Sequence, residues 1–221
     1  MIFEILDLGV KSYHEVLQFQ RSLHRKMIDN RKNKIPNDFG YLIMVEHPSV
    51  ITLGKHADPN NVKFSTDYLK EKGIEIYSIE RGGDVTFHAP GQLVVYPVFD
   101  FGTVGLGVKK YVSLLEESVR ETLSIYGIDT VLLEDAPGIW IFRQGNYQKI
   151  CALGLHCSHF CTMHGIALNV NTELSGFDNI NPCGFKERGV TSMKEILGRN
   201  FDMSLVKECF SNIFLGLIFS L

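Results

Sequence analysis

Two side chains in this sequence are suited to covalent chemistry through a nucleophile, Cys183 and Lys149. Cys183 stands between Pro182 and Gly184, two turn formers, and outside any apolar run. A cysteine on such a loop can present a thiolate, whereas structural cysteines are usually buried among apolar side chains. On residue chemistry alone, a reactive thiol and an ordinary turn cysteine both stay open. Lys149 follows the Gly145-Asn146 turn and opens the apolar run Ile150-Cys151-Ala152-Leu153-Gly154. A lysine there either solvates the end of a strand or sets an ammonium beside a reactive group. Next to a thiol of ordinary pKa about 8.5, an ammonium favours the anion, which is the nucleophile.

Two further segments hold more glycine, histidine and proline than packing explains. The first is Arg81-Gly82-Gly83-Asp84-Val85-Thr86-Phe87-His88-Ala89-Pro90-Gly91-Gln92. Its paired glycines let a backbone approach a ligand closely, with Arg81 and His88 bracketing the approach. It is no dinucleotide fingerprint, and it lacks the Lys-Ser/Thr ending of a phosphate loop. Taken alone it also reads as a turn. The second is His164-Gly165-Ile166-Ala167-Leu168-Asn169-Val170, where Gly165 and Ala167 leave room beside a strand for an aliphatic ligand or a neighbouring helix.

A third cluster, His156-Cys157-Ser158-His159-Phe160-Cys161, has the residue types of a zinc site without its paired spacing. It reads as a tight turn between two strands, where alternation sends His156 and Cys157 to opposite faces. No metal, disulfide or cofactor is expected.

Positioning such groups requires a framework. Ser12 and Glu15 form a capping-box pattern, and Tyr13, Val16, Leu17, Leu23 and Met27 recur at helical spacing. Lys26–Asp38 is polar and reads as a loop. Tyr41–Val45, Val50–Leu53, Gln92–Phe99, Gly138–Phe142, Gln148–Leu155 and Ile166–Val170 read as strands, with Pro97 suggesting a sheet edge. Val108, Val112, Leu115, Val119, Leu123 and Tyr126 trace one face of a helix that Gly127 closes. Strands outnumber helices and several loops are too short for crossovers. The pattern predicts an α+β domain with a mixed sheet flanked by helices, one domain over 1–221.

At 221 residues, 45% hydrophobic and 21% charged, the chain has the composition of a globular domain that needs no staple. That excludes a disordered tail, a collagen-like fibre and a small disulfide scaffold. A net charge of −3 argues against nucleic-acid binding over the whole surface. Glu4 and Asp7 interrupt any signal-like run at Met1–Val10, so a cytoplasmic location with reduced thiols is expected. The apolar run Ile213–Leu221 is too short to span a bilayer and reads as a core helix.

The four segments, in this order and at these distances, resemble the octanoyltransferase family of lipoate biosynthesis. The matching residues are Arg81–Gln92, Lys149 with Ala152-Leu153-Gly154, His164–Val170, and Phe177-x-x-Ile180-x-Pro182-Cys183-Gly184. Ala89 departs from the pattern, which usually has glycine there. The resemblance implies the fold of biotin and lipoate protein ligases, with Cys183 as nucleophile and Lys149 as the residue that lowers its pKa. It places the acyl chain against Arg81, Gly82, Gly83, Asp84, Val85, Thr86, Phe87 and His88, against Ala152, Leu153 and Gly154, and against Gly165, Ile166 and Ala167.

The implied reaction moves an octanoyl or lipoyl group from acyl carrier protein to a lysine of lipoyl domains, those of 2-oxoacid dehydrogenases and of the glycine cleavage H protein, through an acyl-Cys183 thioester. Neither a nucleic acid nor a membrane is an expected partner. The alternatives are an ATP-dependent lipoate or biotin ligase, which needs no cysteine nucleophile, and an inert carrier-binding module. Arg21, Arg25, Lys26, Arg31, Lys32 and Lys34, against the single acid Asp29, make a basic stretch suited to an acidic carrier or to plain solvation.

Overall fold

The computed structural model describes residues 1–181 and 188–220. In chain order its first half holds β1 (Ile2–Val10), α1 (Tyr13–Lys32), β2 (Phe39–Glu46), β3 (Val50–Leu53), α2 (Thr66–Glu71), β4 (Glu75–Ser78), β5 (Val85–His88) and β6 (Gln92–Val98). Its second half holds α3 (Val108–Ile125), β7 (Val131–Leu133), β8 (Ala136–Arg143), β9 (Asn146–Ser158), β10 (Cys161–Asn169), β11 (Gly189–Val190), α4 (Met193–Leu197) and α5 (Met203–Phe219). Short 3₁₀ turns form at Pro59–Asn61 and Leu174–Asn179.

The large sheet runs β1-β2-β6-β10-β9-β8-β7, with β11 added to β9, and a small sheet runs β4-β3-β5. β1 pairs parallel with β2 and β11 parallel with β9, while the other pairings of the large sheet are antiparallel. The sheet is mixed, as the strand pattern predicts. Its centre is buried on both faces because β6 is buried at every position and Leu42–Val45 of β2 is apolar throughout. Leu42, Met44, Leu93 and Val95 face α3 and α5, whereas Ile43, Val45, Val94 and Tyr96 face α1. Each such side chain fully removed from water contributes roughly 1.5–3 kcal/mol. α5 joins the first core through Val206, Phe210, Phe214 and Ile218, so the apolar run near the C-terminus is core. Among the described residues no helix is long and apolar enough to cross a membrane.

Two expectations need correction. The polar stretch from Lys26 is not a loop: α1 continues to Lys32, because Met27 is buried and Arg31 donates two 2.9 Å hydrogen bonds to Asp100. At the helix start, Ser12 Oγ accepts from Glu15 N–H and donates to the Glu15 carboxylate. Pro97 does not mark a sheet edge either. It lies in β6 between β2 and β10, opposite Leu42, just where the continuous β6–β10 ladder stops at Val95–Ile166. A residue without an N–H fits that interruption. The turn after β9 is as tight as expected, with His159 and Phe160 both at positive φ.

Candidate active site

The β9–β10 ladder sets the floor of the site. Its register pairs Ala152 with Ala167, Leu153 with Ile166 and Gly154 with Gly165, so the two motif segments become neighbours. β8 pairs with β9 only as far as Cys151. Beyond that point the outer edge of β9 meets the Arg81–Gly83 loop instead, and Gly82 N–H donates to Leu155 O at 2.7 Å.

Arg81 holds this loop in place. Its guanidinium donates to Thr52 O at 2.7 Å, to Thr52 Oγ1 at 3.0 and 3.2 Å, and to Gly82 O at 2.9 Å. Val85–His88 is not a turn but strand β5, paired with β3. Gly54, absent from the sequence-based candidates, must lack a side chain because a Cβ there would strike Gly83 O and lie 2.9 Å from Arg81 Nη1. Two of the expected small residues also have packing reasons to lack a side chain. A Cβ on Gly165 would run into Val95 O and Pro97, and one on Gly154 would lie 3.1 Å from Arg81 Cδ.

Floor and loop enclose a cavity of about 560 Å³, within the range that takes small ligands. Arg81, Gly82, Gly83, Asp84, Val85, Thr86 and His88 line it, as do Ala152, Leu153, Gly154, Gly165, Ile166, Ala167 and Lys149. Phe87 does not. Alternation along β5 turns its ring away to stack edge-on against Phe177 at 5.5 Å. Asp84 acts largely through structure: Oδ1 accepts from Asp58 N–H and Oδ2 from Asn61 Nδ2 at 2.6 Å. Asn61 O in turn accepts Asn181 N–H at 2.8 Å, which fixes the last described residue before the Cys183 segment.

Lys149 is buried, 7% exposed, on β9. Trp140 pairs opposite it on β8, and at Gly138, φ +115, a Cβ would strike Cys151 O and touch the lysine stem at Cδ and Cε, 3.5 Å away. Its Nζ lies 4.7 Å from the centre of the Trp140 ring, a cation–π distance, and Arg188 approaches the same ring at 5.5 Å. Arg188 also pairs with Asp135 at 2.6 Å. β11 adds Val190 beside Lys149, and Thr191 N–H donates to Lys149 O at 3.0 Å. Pro182, Cys183 and Gly184 lie outside the described residues.

The other thiols are poor nucleophiles. Burial pushes Cys151 and Cys161 up to about 12 and raises Cys157 and Cys209 as well. His156 and Cys157 do part to opposite faces: His156 packs on His24 at 5.5 Å, while Cys157 joins the core under α3. Among the described residues no three metal-ligating side chains converge. Burial also pulls His88 and His164, both in the cavity wall, down to about 3, so each is neutral at ordinary pH. Sequence reasoning did not single out Gly138 and Trp140, which touch Lys149 only through cross-strand register. Gln92 and Asn169 sit inside the quoted motifs yet were given no role, and both line the cavity.

A mixed sheet with a glycine-rich loop against the edge of β9 and a buried lysine earlier on the same strand marks the class. The chain belongs to the lipoyl protein ligase A/B catalytic-domain family, which it matches over residues 12–215. It is 41% identical over 215 residues to an octanoyltransferase of Parabacteroides distasonis, covering 96% of this chain and 97% of that one. It is 49% identical over 168 residues to an octanoyltransferase of Bacteroides fragilis, covering 76% of each. Against an octanoyltransferase of Porphyromonas gingivalis, 42% identical over 211 residues, 94% of this chain is covered but it spans only 42% of the relative's length. In fold it is similar to a bipartite lipoate protein ligase of Thermoplasma acidophilum, with a TM-score of 0.72 at 18% identity, covering 99% of this chain and 84% of that one. A biotin protein ligase of Aquifex aeolicus follows at TM-score 0.53 and 15% identity, covering 100% and 70%.

Proposed function

We propose that this protein is an octanoyltransferase of lipoate biosynthesis, carrying an octanoyl or lipoyl group from acyl carrier protein to a lysine amine of a lipoyl domain through a thioester on Cys183. The observation that carries the reading is the buried Lys149 at the rim of a largely apolar cavity, flanked by the strand that follows the Cys183 segment. The names borne by relatives 41% and 49% identical support the same reaction.

The chemistry then divides into two half-reactions. The Cys183 thiolate, paired with the Lys149 ammonium, attacks the donor thioester carbonyl; the bond to the carrier sulfur breaks, and the leaving thiolate takes a proton from Lys149. The acyl chain lies along Ala152-Leu153-Gly154 and Gly165-Ile166-Ala167 under the Arg81–His88 segment. Lys149, now an amine, accepts a proton as the acceptor amine attacks, and collapse of the adduct expels the Cys183 thiolate. An amide replaces a thioester, so no nucleotide is consumed.

Intact-mass spectrometry after incubation with octanoyl carrier protein tests this. The expected result is one octanoyl adduct formed without ATP, absent in Cys183→Ser and present when any of Cys151, Cys157, Cys161 or Cys209 is replaced instead. Acylation of a lipoyl domain by free octanoate only when ATP is present would support a ligase, and neither reaction would support a binding module.

A further inference from the structure

A chain of buried hydrogen bonds links the cavity wall to the strand beside Lys149, and its direction can be read from two backbone carbonyls. Asn169 Nδ2 lies 3.0 Å from Thr191 O, and a carbonyl can only accept, so the amide nitrogen of Asn169 must be the atom on that side. Asn169 Oδ1 therefore faces Gln92, whose Nε2 donates to it at 2.8 Å. Gln92 Nε2 also approaches Phe87 O at 3.3 Å, a second carbonyl that demands a donor. Gln92 Oε1 is left to face His88 Nδ1 at 2.7 Å, and as an acceptor it requires the proton on Nδ1. The four residues and their orientations are thus settled together.

All members are buried: Gln92 is 1% exposed, Asn169 4% and His88 6%. Leaving any of their polar atoms unpaired at such a site is costly, so the chain holds as a unit. Its far end is Thr191, whose N–H donates to Lys149 O. The near end is an imidazole in the cavity wall whose Nε2 has no hydrogen-bond partner among the described residues. With the proton on Nδ1, that Nε2 carries a lone pair.

We infer that Asn169 is a positioning residue for the reaction: through Gln92 it locks His88 in the tautomer that turns a lone pair, not an N–H, into the cavity, where it receives an N–H donor of the incoming substrate. The inference rests on the acyl-transfer reading, in which two groups carry such donors, the attacking lysine amine and the amides of the pantetheine arm. Asn169 touches neither.

The test has one arm that needs no activity. In protein labelled with ¹⁵N-histidine, with the His88 signals assigned by a His88→Asn variant, the wild type is expected to show a protonated Nδ1 and a bare Nε2. Asn169→Leu keeps bulk but removes both bonds, so only the long 3.3 Å bond to Phe87 O still orients Gln92 and a second His88 tautomer is expected. Where Asn169→Leu does not fold, Asn169→Ala removes the same two bonds without added bulk and carries the same expectation, whereas Asn169→Asp, which keeps the acceptor toward Gln92, is expected to keep the wild-type tautomer. A wild-type spectrum with the proton on Nε2, or an Asn169→Leu or Asn169→Ala variant whose His88 signals do not change, overturns the inference whatever the protein's reaction proves to be.

The activity arm separates the sources of the N–H donor. Octanoyl-enzyme formation from an octanoyl pantetheine thioester and amine transfer from preformed octanoyl-enzyme are timed separately in the variant. A loss of about tenfold or more confined to the first step identifies the pantetheine amide, and one confined to the second identifies the amine. Unchanged rates in both steps overturn the positioning role. Failure of the wild type to form any octanoyl adduct would instead strike the acyl-transfer reading and leave the tautomer result standing.

Discussion

The two sides of the cavity are built on different principles. The floor, Ala152–Gly154 against Gly165–Ala167, is a regular antiparallel ladder in which backbone bonds recur at every step. The opposite wall, the Arg81–Asp84 loop ahead of β5, has isolated backbone bonds from Gly54, Lys55 and His56 and one to Leu155, and adds the side-chain pins of Arg81 on Thr52 and of Asp84 on Asp58 and Asn61. A ladder spreads a perturbation over many equivalent bonds and resists it. A loop pinned by side chains gives way at each pin. Shape at the floor is therefore a matter of backbone fit, and shape at the wall a matter of individual polar contacts.

The largest expected effect lies on the floor strand itself, at the buried lysine. Lys149→Ala should slow octanoyl-enzyme formation by at least about a hundredfold, and Lys149→Arg should fail to restore it, since a guanidinium does not release a proton. A time course by intact mass decides this, and wild-type rates in either variant would detach the lysine from the chemistry.

Acid should next weaken both sides together, because each carries a buried neutral histidine. His88 on the wall and His164 on the floor are held near 3, and His47 behind them near 4, in each case mainly by burial. In the unfolded chain all three take up protons near 6.5, so below that pH the unfolded state binds more protons and stability falls. Each group costs up to about 1.4 kcal/mol per pH unit between 6.5 and its folded value. Urea midpoints measured from pH 7 down to pH 5 should decline steadily, and a flat profile would mean the histidines are not buried neutral.

Matched glycine substitutions sharpen the contrast directly. Gly165→Ala drives a Cβ into the Val95 carbonyl, a backbone atom that cannot step aside, and should cost about 2–3 kcal/mol in denaturant unfolding. Gly82→Ala meets only Leu155 O at 3.3 Å and should cost less than about 1 kcal/mol. Equal losses would break the distinction. Arg81→Lys keeps the charge but not the fork onto Thr52. It should reduce acylation about tenfold and cost about 1–3 kcal/mol as buried bonds are lost, and a variant as active and as stable as wild type would show that the wall does not depend on this pin.

The residues of the site were legible in the sequence because they cluster in short segments with compositions that packing does not require. What stayed hidden depends on register. Trp140 and Gly138 become neighbours of Lys149 only through the β8–β9 pairing, which no local pattern announces. The resemblance, carried over to the whole run, places Phe87 against the acyl chain; in a strand, alternate side chains diverge and its ring packs on Phe177 instead. The helical end of α1 was missed for a different reason. Its polar residues look like a loop until Asp100, far along the chain, supplies the partner for Arg31. Pro97 misled because an interrupted ladder inside a sheet spares the missing N–H as well as an edge does.

The anchoring of α1 also changes the electric field of the molecule. Of the six cations between Arg21 and Lys34, Arg21 is already neutralised by Glu80 at 2.7 Å and Arg31 by Asp100 at 2.9 Å. The charge left to attract an acidic protein approaching through solution is that of Arg25, Lys26, Lys32 and Lys34, all exposed. Reversing Arg31 along with its neighbours would confuse two effects, because it would also leave the 3%-exposed Asp100 side chain facing a like charge. Long-range attraction on this face is thus carried by four charges, acts over roughly 8 Å at physiological salt, and can be removed at those four positions without touching an ion pair that holds the fold.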